Sequence, residues 1–409
     1  MSAKVSWIFF LVAAALPNRV SCYGNNSQNN NHNRRQFLQT SAASILIPPS
    51  VALADEVVTD TAASALPSSA SSPPLLIENG KIVSMPKIGT GAWAWGDSLF
   101  WGYNPKNDAD LEEVYRYATE HGGGFFDTAE LYGIGRSESL IGQFDAEFKE
   151  ISSQTSIASK FAPFPWRTDR KSVVKAAEAS VKRLGGRPID LYQIHFPNAY
   201  SNAAYWDGIG DAYEKGLIRS VGVSNYGKDA VRACHAALAE RGIPLASNQI
   251  QMSLLYREPL NNGLKDVCDE LDVKVISYSP LGLGLLTGKY DANTLPTGPR
   301  KVLAKSLFEQ NGSNANELIA TMKEIASVHD ATCSQVAINW AIAKGTTPIP
   351  GARSLKQIKS NLNALDWNLS SAEVAALDKI SMKIPSLTPP KSSPFPKVDK
   401  DTGLIMFDS

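Results

Sequence analysis

The sequence predicts an α/β fold, a (β/α)8 (TIM) barrel opened by a β-hairpin, and three observations carry that prediction. From residue 75 onward, short β-rich runs alternate with longer amphipathic stretches. The alternation repeats eight times, whereas an open doubly wound sheet usually uses about five or six strands. Polar and titratable residues gather at the C-terminal ends of the runs, where such a barrel keeps its functional groups. The 409 residues leave room for one barrel of about 250 residues with appendages at both ends.

The elements follow in order. "LLIENGKIVSM" has two apolar runs about Asn79-Gly80, the strongest short-range hairpin signal. The expected strands are "KIGTGAW" from Lys87, "GFFDT" from Gly124, "TSIASKF" from Thr155, "DLYQIHF" from Asp190, "IRSVGVSN" from Ile218, "ASNQIQ" from Ala246, "KVISYSP" from Lys274 and "TTPIPGA" from Thr346. Between them lie helical patterns such as "DLEEVYRYATEHG", "DRKSVVKAAEASVKRLG" and "GKDAVRACHAALAERG". Each ends in glycine, as a helix stop does.

The two ends of the chain read differently. Lys4 precedes an apolar run at residues 7–16, too short to span a bilayer but suited to a signal-peptide core. After an Asn-rich stretch come Arg34 and Arg35, a second moderately apolar run, and a small-residue end at Ala52 and Ala54. Two signals in series resemble the bipartite leader of a plastid protein whose second, twin-arginine step leads to the thylakoid lumen; a single secretory signal is the alternative. The expected organisation is therefore a leader over residues 1–54, a flexible linker over 55–74, the barrel over 75–382, and a Pro-rich tail over 383–409.

Composition excludes several classes of function. Hydrophobic residues make up 43% and charged residues 20%, as in ordinary globular proteins. The 40 basic and 40 acidic side chains cancel, so no net field draws in nucleic acid or an anionic membrane. No membrane span is expected in the mature chain, which is read as a monomer acting on a small molecule. Cys22 falls in the leader, and Cys234, Cys268 and Cys333 fall in helical patterns without paired spacing. They read as small buried hydrophobes, with neither a disulfide frame nor a metal site.

The strand-end filter selects Asp127 in "HGGGFFDTAELYG", Lys160, His195, Ser224 with Asn225, Gln249 and Tyr278. Each alone is explained by a cap or a turn, but complementary titratable groups on consecutive strand ends are harder to dismiss. Tyr132 follows Asp127 by five residues, so its hydroxyl can reach over the barrel mouth. A phenol titrates near pH 10, and an ammonium at Lys160 is expected to lower that value. Asp127 would hold Lys160 charged, and His195 would orient a substrate oxygen. The group thus reads as a proton donor for a carbonyl. No GxGxxG follows a strand, but Tyr278 offers a ring face to a nicotinamide, and Asn225 and Gln249 offer amides to its carboxamide. Arg353, Gln357 and Asn361 are spaced by four and share one helical face, which suits a ribose phosphate.

At this point the chain resembles an aldo-keto reductase, with similarity to the plastid branch of that family. The resemblance rests on "FFDTAELYG", Lys160 in "SIASKF", His195 in "DLYQIHFP", "GVSNYG", "NQIQMSLL", "ISYSPLGLGLLTGKY" and "IPGARSLKQIKSNL", and covers residues 75–382. It implies a catalytic tetrad of Asp127, Tyr132, Lys160 and His195, with the tyrosine as general acid. It implies NADPH contacts at Ser224, Asn225, Gln249, Tyr278, Ser279, Leu281, Gly282, Lys289, Gly351, Arg353, Gln357 and Asn361. Trp93 matches an aromatic that lines the family's substrate pocket, with Trp95 and Phe196 as further walls. The implied activity is NADPH-dependent reduction of an aldehyde or ketone. The tail departs from the family, because many relatives select substrates with a C-terminal loop. So does the leader, because a thylakoid lumen is not known as a rich source of NADPH.

Two rival functions use the same fold. A metal-dependent hydrolase needs several histidine ligands, and of the five histidines only His195 sits at a strand end. A binding module that senses NADP redox state, with little turnover, would keep the tetrad. The substrate itself is not legible, since apolar pocket walls discriminate weakly between carbonyls.

Overall fold

A computed structural model describes residues 73–386 apart from 99, 165, 199, 200 and 299, together with the short pairs Lys397–Val398 and Ile405–Met406. The expected leader and most of the linker and tail lie outside the described residues. Among the described residues no helix is long and apolar enough to cross a membrane.

The hairpin forms where expected, from strands β1 (Leu76–Glu78) and β2 (Lys81–Ser84) paired antiparallel. Asn79 and Gly80 both take positive φ, 48° and 80°, the combination that a two-residue type I′ turn requires. The barrel strands are β3 (Thr90–Gly91), β4 (Phe125–Asp127), β5 (Ser156–Phe161), β6 (Leu191–Ile194), β7 (Val221–Ser224), β8 (Leu245–Gln251), β9 (Lys274–Tyr278) and β10 (Thr347–Pro348). They pair in parallel in sequence order. The seam between first and last closes through Gly89 N–H to the Pro348 carbonyl at 2.9 Å and Gly91 N–H to the Pro350 carbonyl at 3.1 Å. A methyl group on Gly89 would lie 2.6 Å from the Phe125 ring, and one on Gly91 2.8 Å from the Ile349 carbonyl oxygen, so the seam needs both glycines.

Helices α1 (Asp108–Glu120), α2 (Arg136–Glu147), α3 (Arg170–Arg183), α4 (Asn202–Glu214), α5 (Lys228–Ala239) and α6 (Leu264–Glu270) follow β3 to β8 in turn. The long crossover from β9 to β10 carries a short helix, Arg300–Lys305, and two longer ones, α7 (Gly312–Val328) and α8 (Cys333–Ala343), and α9 (Leu355–Leu362) and α10 (Ser371–Ser381) come last. The helix starts carry their sequence signals: Asp169 caps α3, and capping boxes at Thr332–Gln335 and Ser370–Glu373 open α8 and α10. Cys234, Cys268 and Cys333 are free thiols buried in helices.

Strand alternation divides the core in two. One face packs against the helices through residues such as Phe126, Ile157, Tyr192, Ile194 and Val223. The other fills the lower barrel with Phe125, Ala158, Leu191, Ala246, Ile276 and Ile349. Trp95 corrects the sequence reading here. It is fully buried between Phe126 and Phe144, and its indole N–H donates to the Ala352 carbonyl at 2.8 Å. It is a core residue and no wall of a pocket.

Candidate active site

Two residues above the apolar layer, the same inward positions turn polar. Phe125 gives way to Asp127 on β4, Ala158 to Lys160 on β5, and Leu191 to Gln193 on β6. On β7 and β8 the register Val221↔Leu245, Gly222↔Ser247 skips one residue. This bulge aims Gln249 at the barrel axis, where simple alternation from Ala246 would have aimed Asn248. Asn248 instead brackets Tyr226, accepting from its N–H and donating to its carbonyl at 2.9 Å.

The polar layer is a connected network. Lys160 Nζ donates to Asp127 Oδ2 at 2.6 Å and to the Thr128 carbonyl at 2.8 Å, and stands 3.5 Å from the Tyr132 hydroxyl. Asp127 Oδ1 accepts from Gln249 Nε2 at 2.6 Å, with Gln193 Nε2 further off at 3.5 Å. His195 faces Tyr132 edge-on with ring centres 5.8 Å apart, and Phe196 lies 5.5 Å beyond it. Trp93 stands 6.3 Å from the Tyr132 ring. The Tyr132 loop is clamped from below: Glu130 accepts from the Ala162 N–H at 2.6 Å and pairs with Arg167. Gly133 completes the turn with φ 59°, so close to Gly96 that a Cβ would meet its carbonyl oxygen at 2.5 Å.

The electrostatics reverse one expectation. The Tyr132 pKa is raised, not lowered: burial favours the neutral phenol, and the charge of Asp127 adds to the effect. Lys160 is pulled below its ordinary value by the same burial, against the opposing pull of Asp127. Burial, with Lys160 nearby, also pushes His195 well below the usual histidine range, so its ring is neutral. Tyr132 is therefore held in its protonated form.

The positions matched to cofactor contacts ring the same end of the barrel. Ser224 Oγ donates to the Gln249 carbonyl at 2.9 Å. Asn225 adopts φ 61°, donates to the His195 carbonyl at 3.0 Å, and accepts from the Tyr278 hydroxyl at 2.9 Å. Ser279 and Leu283 are also at positive φ, and such strained non-glycine residues gather at functional loops; Gly282 takes positive φ without that strain. Leu281 packs against the core at the start of this turn, and Lys289 is exposed just beyond it. Arg353 differs from expectation: it precedes α9, whose cap is Ser354, so it does not share a helical face with Gln357 and Asn361. The Arg353 backbone N–H donates to Gln357 Oε1 at 2.8 Å, and Asn361 Nδ2 donates to the Gly351 carbonyl at 3.4 Å.

Arg300 is a partner that sequence reasoning missed. Its guanidinium lies 5.4 Å from the Trp101 ring centre, and that of Arg353 lies 5.9 Å from the same ring. Arg353 also donates to the Trp101 carbonyl at 2.7 Å, and Arg300 to the Leu283 carbonyl at 3.3 Å. Neither forms an ion pair with a carboxylate among the described residues; the salt bridges of β9's crossover and α10 involve other partners. Two guanidiniums without a counter-ion fit a phosphorylated dinucleotide. No signal in a lone arginine after "TGP" could have found it.

A parallel barrel with an Asp–Lys–Tyr–His cluster at its mouth and unpaired arginines beside it is the pattern of a nicotinamide-dependent reductase. The Aldo/keto reductase family model matches residues 87–382, and the chain belongs to that family as an NADP-dependent oxidoreductase. It is 42% identical over 314 residues to "Pyridoxal reductase, chloroplastic" of Arabidopsis thaliana, covering 74% of this chain and 85% of that one. It is 28% identical over 307 residues to an aldo-keto reductase [NADP(+)] of Schizosaccharomyces pombe, covering 71% and 87%. Among solved structures it resembles a thermostable aldo-keto reductase in complex with the inhibitor epalrestat, at 28% identity and TM-score 0.59 over 74% of this chain and 98% of that one. It also resembles a Bombyx mori aldo-keto reductase in complex with NADP, at 25% identity and TM-score 0.56 over 76% and 94%.

Proposed function

We propose that the protein reduces an aldehyde or ketone to an alcohol with NADPH, Tyr132 being the general acid. The observation that carries this reading is the Tyr132 hydroxyl, held protonated 3.5 Å from an ammonium that is itself bonded to Asp127. Bound NADPH would supply the hydride. Tyr132 gives its proton to the carbonyl oxygen, and Lys160 steadies the phenolate that results. Asp127 keeps Lys160 charged and aimed, and neutral His195 helps orient the substrate oxygen. Trp93 and Phe196 wall the substrate. Tyr278, Asn225, Gln249, Ser224, Ser279, Leu281 and Gly282 serve the nicotinamide end, while Lys289, Gly351, Arg353, Gln357 and Asn361, with Arg300, serve the phosphate end.

Because one relative bears the name pyridoxal reductase, an aromatic aldehyde such as pyridoxal is the first substrate to test. Tyr132→Phe keeps the ring and removes the acid, so turnover falls by roughly 10² to 10⁴ while NADPH affinity is kept. Turnover at the parent rate on every carbonyl tried would leave the NADP-sensing module as the better account. We further propose that residues 1–54 direct the chain to a plastid, 55–74 link, 75–382 form the enzyme, and 383–409 form a tail. N-terminal sequencing of the native protein then gives a start near Asp55; a start at Met1 overturns the leader.

A further inference from the structure

Gln193 is wholly buried in the barrel interior, two residues along β6 from the apolar Leu191. A buried amide surrounded by core is costly unless its hydrogen-bonding groups are satisfied. Yet its Oε1 has no partner among the described residues, and its Nε2 has one long contact, 3.5 Å from Asp127 Oδ1. The same oxygen already holds a short bond from Gln249 Nε2 at 2.6 Å. Asp127 therefore has two amide donors on one oxygen, one engaged and one in reserve.

Gly222 makes room for the second. It lies on β7 beside Gln193 and Ser247, and a Cβ there would sit 2.4 Å from Ser247 Oγ and 2.9 Å from Gln193 Cγ. Any larger residue at this point of β7 would press on Gln193, so the neighbouring strand leaves the amide its place beside the Asp127–Lys160 pair.

We infer that Gln193 is a positioning residue that takes over Asp127 when Gln249 turns toward the nicotinamide carboxamide. The inference rests on the proposed NADPH-dependent reading. In the free protein Gln249 fixes Asp127, and Gln193 is a spectator. With cofactor bound, the Gln249 amide is drawn away, and Gln193 closes on Oδ1. Asp127 then never loses its neutral donor, and Lys160 keeps its aim at Tyr132.

The test compares the parent with Gln193→Met, which keeps the length and removes the amide. Thermal unfolding is followed with and without saturating NADPH, and NADPH affinity is titrated by fluorescence. The expected result is an unfolding midpoint unchanged in the free protein, NADPH affinity weaker by about tenfold, the loss expected when a charged acceptor is left without one donor, and a lower kcat at unchanged carbonyl KM. Gln193→Glu supplies the second readout. Burial beside Asp127 favours its acid form, which can donate to Oδ1, whereas its carboxylate repels Asp127, so NADPH affinity should stay near the parent value at low pH and fall as pH rises.

If Gln193→Met instead lowers the midpoint equally with and without NADPH and leaves the affinity unchanged, Gln193 is a packing residue and the inference falls. It falls equally if Gln193→Glu binds NADPH with the same pH dependence as the parent. A parent protein that does not bind NADPH would overturn the functional reading first, and this inference with it.

Discussion

Phe125 and Asp127 stand two residues apart on one strand and face the same barrel axis, yet they belong to different materials. The lower layer, with Phe125, Ala158, Leu191 and Ile276, is carbon against carbon. The upper layer replaces it with Asp127, Lys160, Gln193 and Gln249, joined by bonds of 2.6 to 3.5 Å. Apolar burial stabilises the lower layer in proportion to area. A buried ion pair does not contribute in the same way, because its attraction barely repays the cost of taking two charges out of water. On the proposed function the upper layer is retained for chemistry at a neutral or negative contribution to stability, and the lower layer supports it.

The sharpest break in this contrast is a double replacement, Asp127→Leu with Lys160→Met. Turnover falls by at least about a thousandfold, since the acid loses its support, while the unfolding midpoint stays at or above that of the parent. Lys160→Met alone strands the buried Asp127 and costs about 3–5 kcal/mol of stability; denaturant unfolding separates the two results. A double variant less stable than the single one would show the pair to be structural.

Phe125→Ala is the mirror experiment. It removes about 3–5 kcal/mol of stability and leaves turnover per folded molecule and NADPH affinity at parent values, measured well below the midpoint. Loss of turnover without loss of stability would mean that the two layers are not separable.

Arg353→Ala addresses the rim above both layers. NADPH binding weakens by about a hundredfold, the worth of a charge-assisted contact of roughly 2 to 3 kcal/mol, and NADH binding barely changes. Equal losses for the two cofactors would place Arg353 with Trp101 as a structural contact. The smallest effect is expected at His195. Burial and Lys160 depress its pKa, so the ring stays neutral as pH falls through the ordinary histidine range, and carbonyl KM shows no inflection near pH 6.5. An inflection there that disappears in His195→Asn would show the ring charging in the working enzyme.

Much of this was legible in the chain. The eight alternations named the barrel because period-two and period-3.6 patterns are set locally by backbone geometry. Asn79-Gly80 named the hairpin because few residues tolerate two successive positive φ angles. Asp127, Lys160, Tyr132 and His195 could be shortlisted because strand ends are marked by the strands themselves.

Side-chain direction and charge balance were not legible. Trp95 and Trp93 look alike in "GAWAWG", and only the helix layer decides that one is core and the other faces Tyr132. A bulge where β8 meets β7 turns Gln249 inward and Asn248 outward, and a bulge depends on the neighbouring strand as much as on its own residues. The Tyr132 pKa is raised by burial first and by the charge of Asp127 second, a sum over groups that the sequence contains but cannot place at distances. Local pattern therefore determined which elements form and which residues stand at their ends. The tertiary structure decided which of them share a low-dielectric interior, because Coulomb energies depend on separations that exist only after folding.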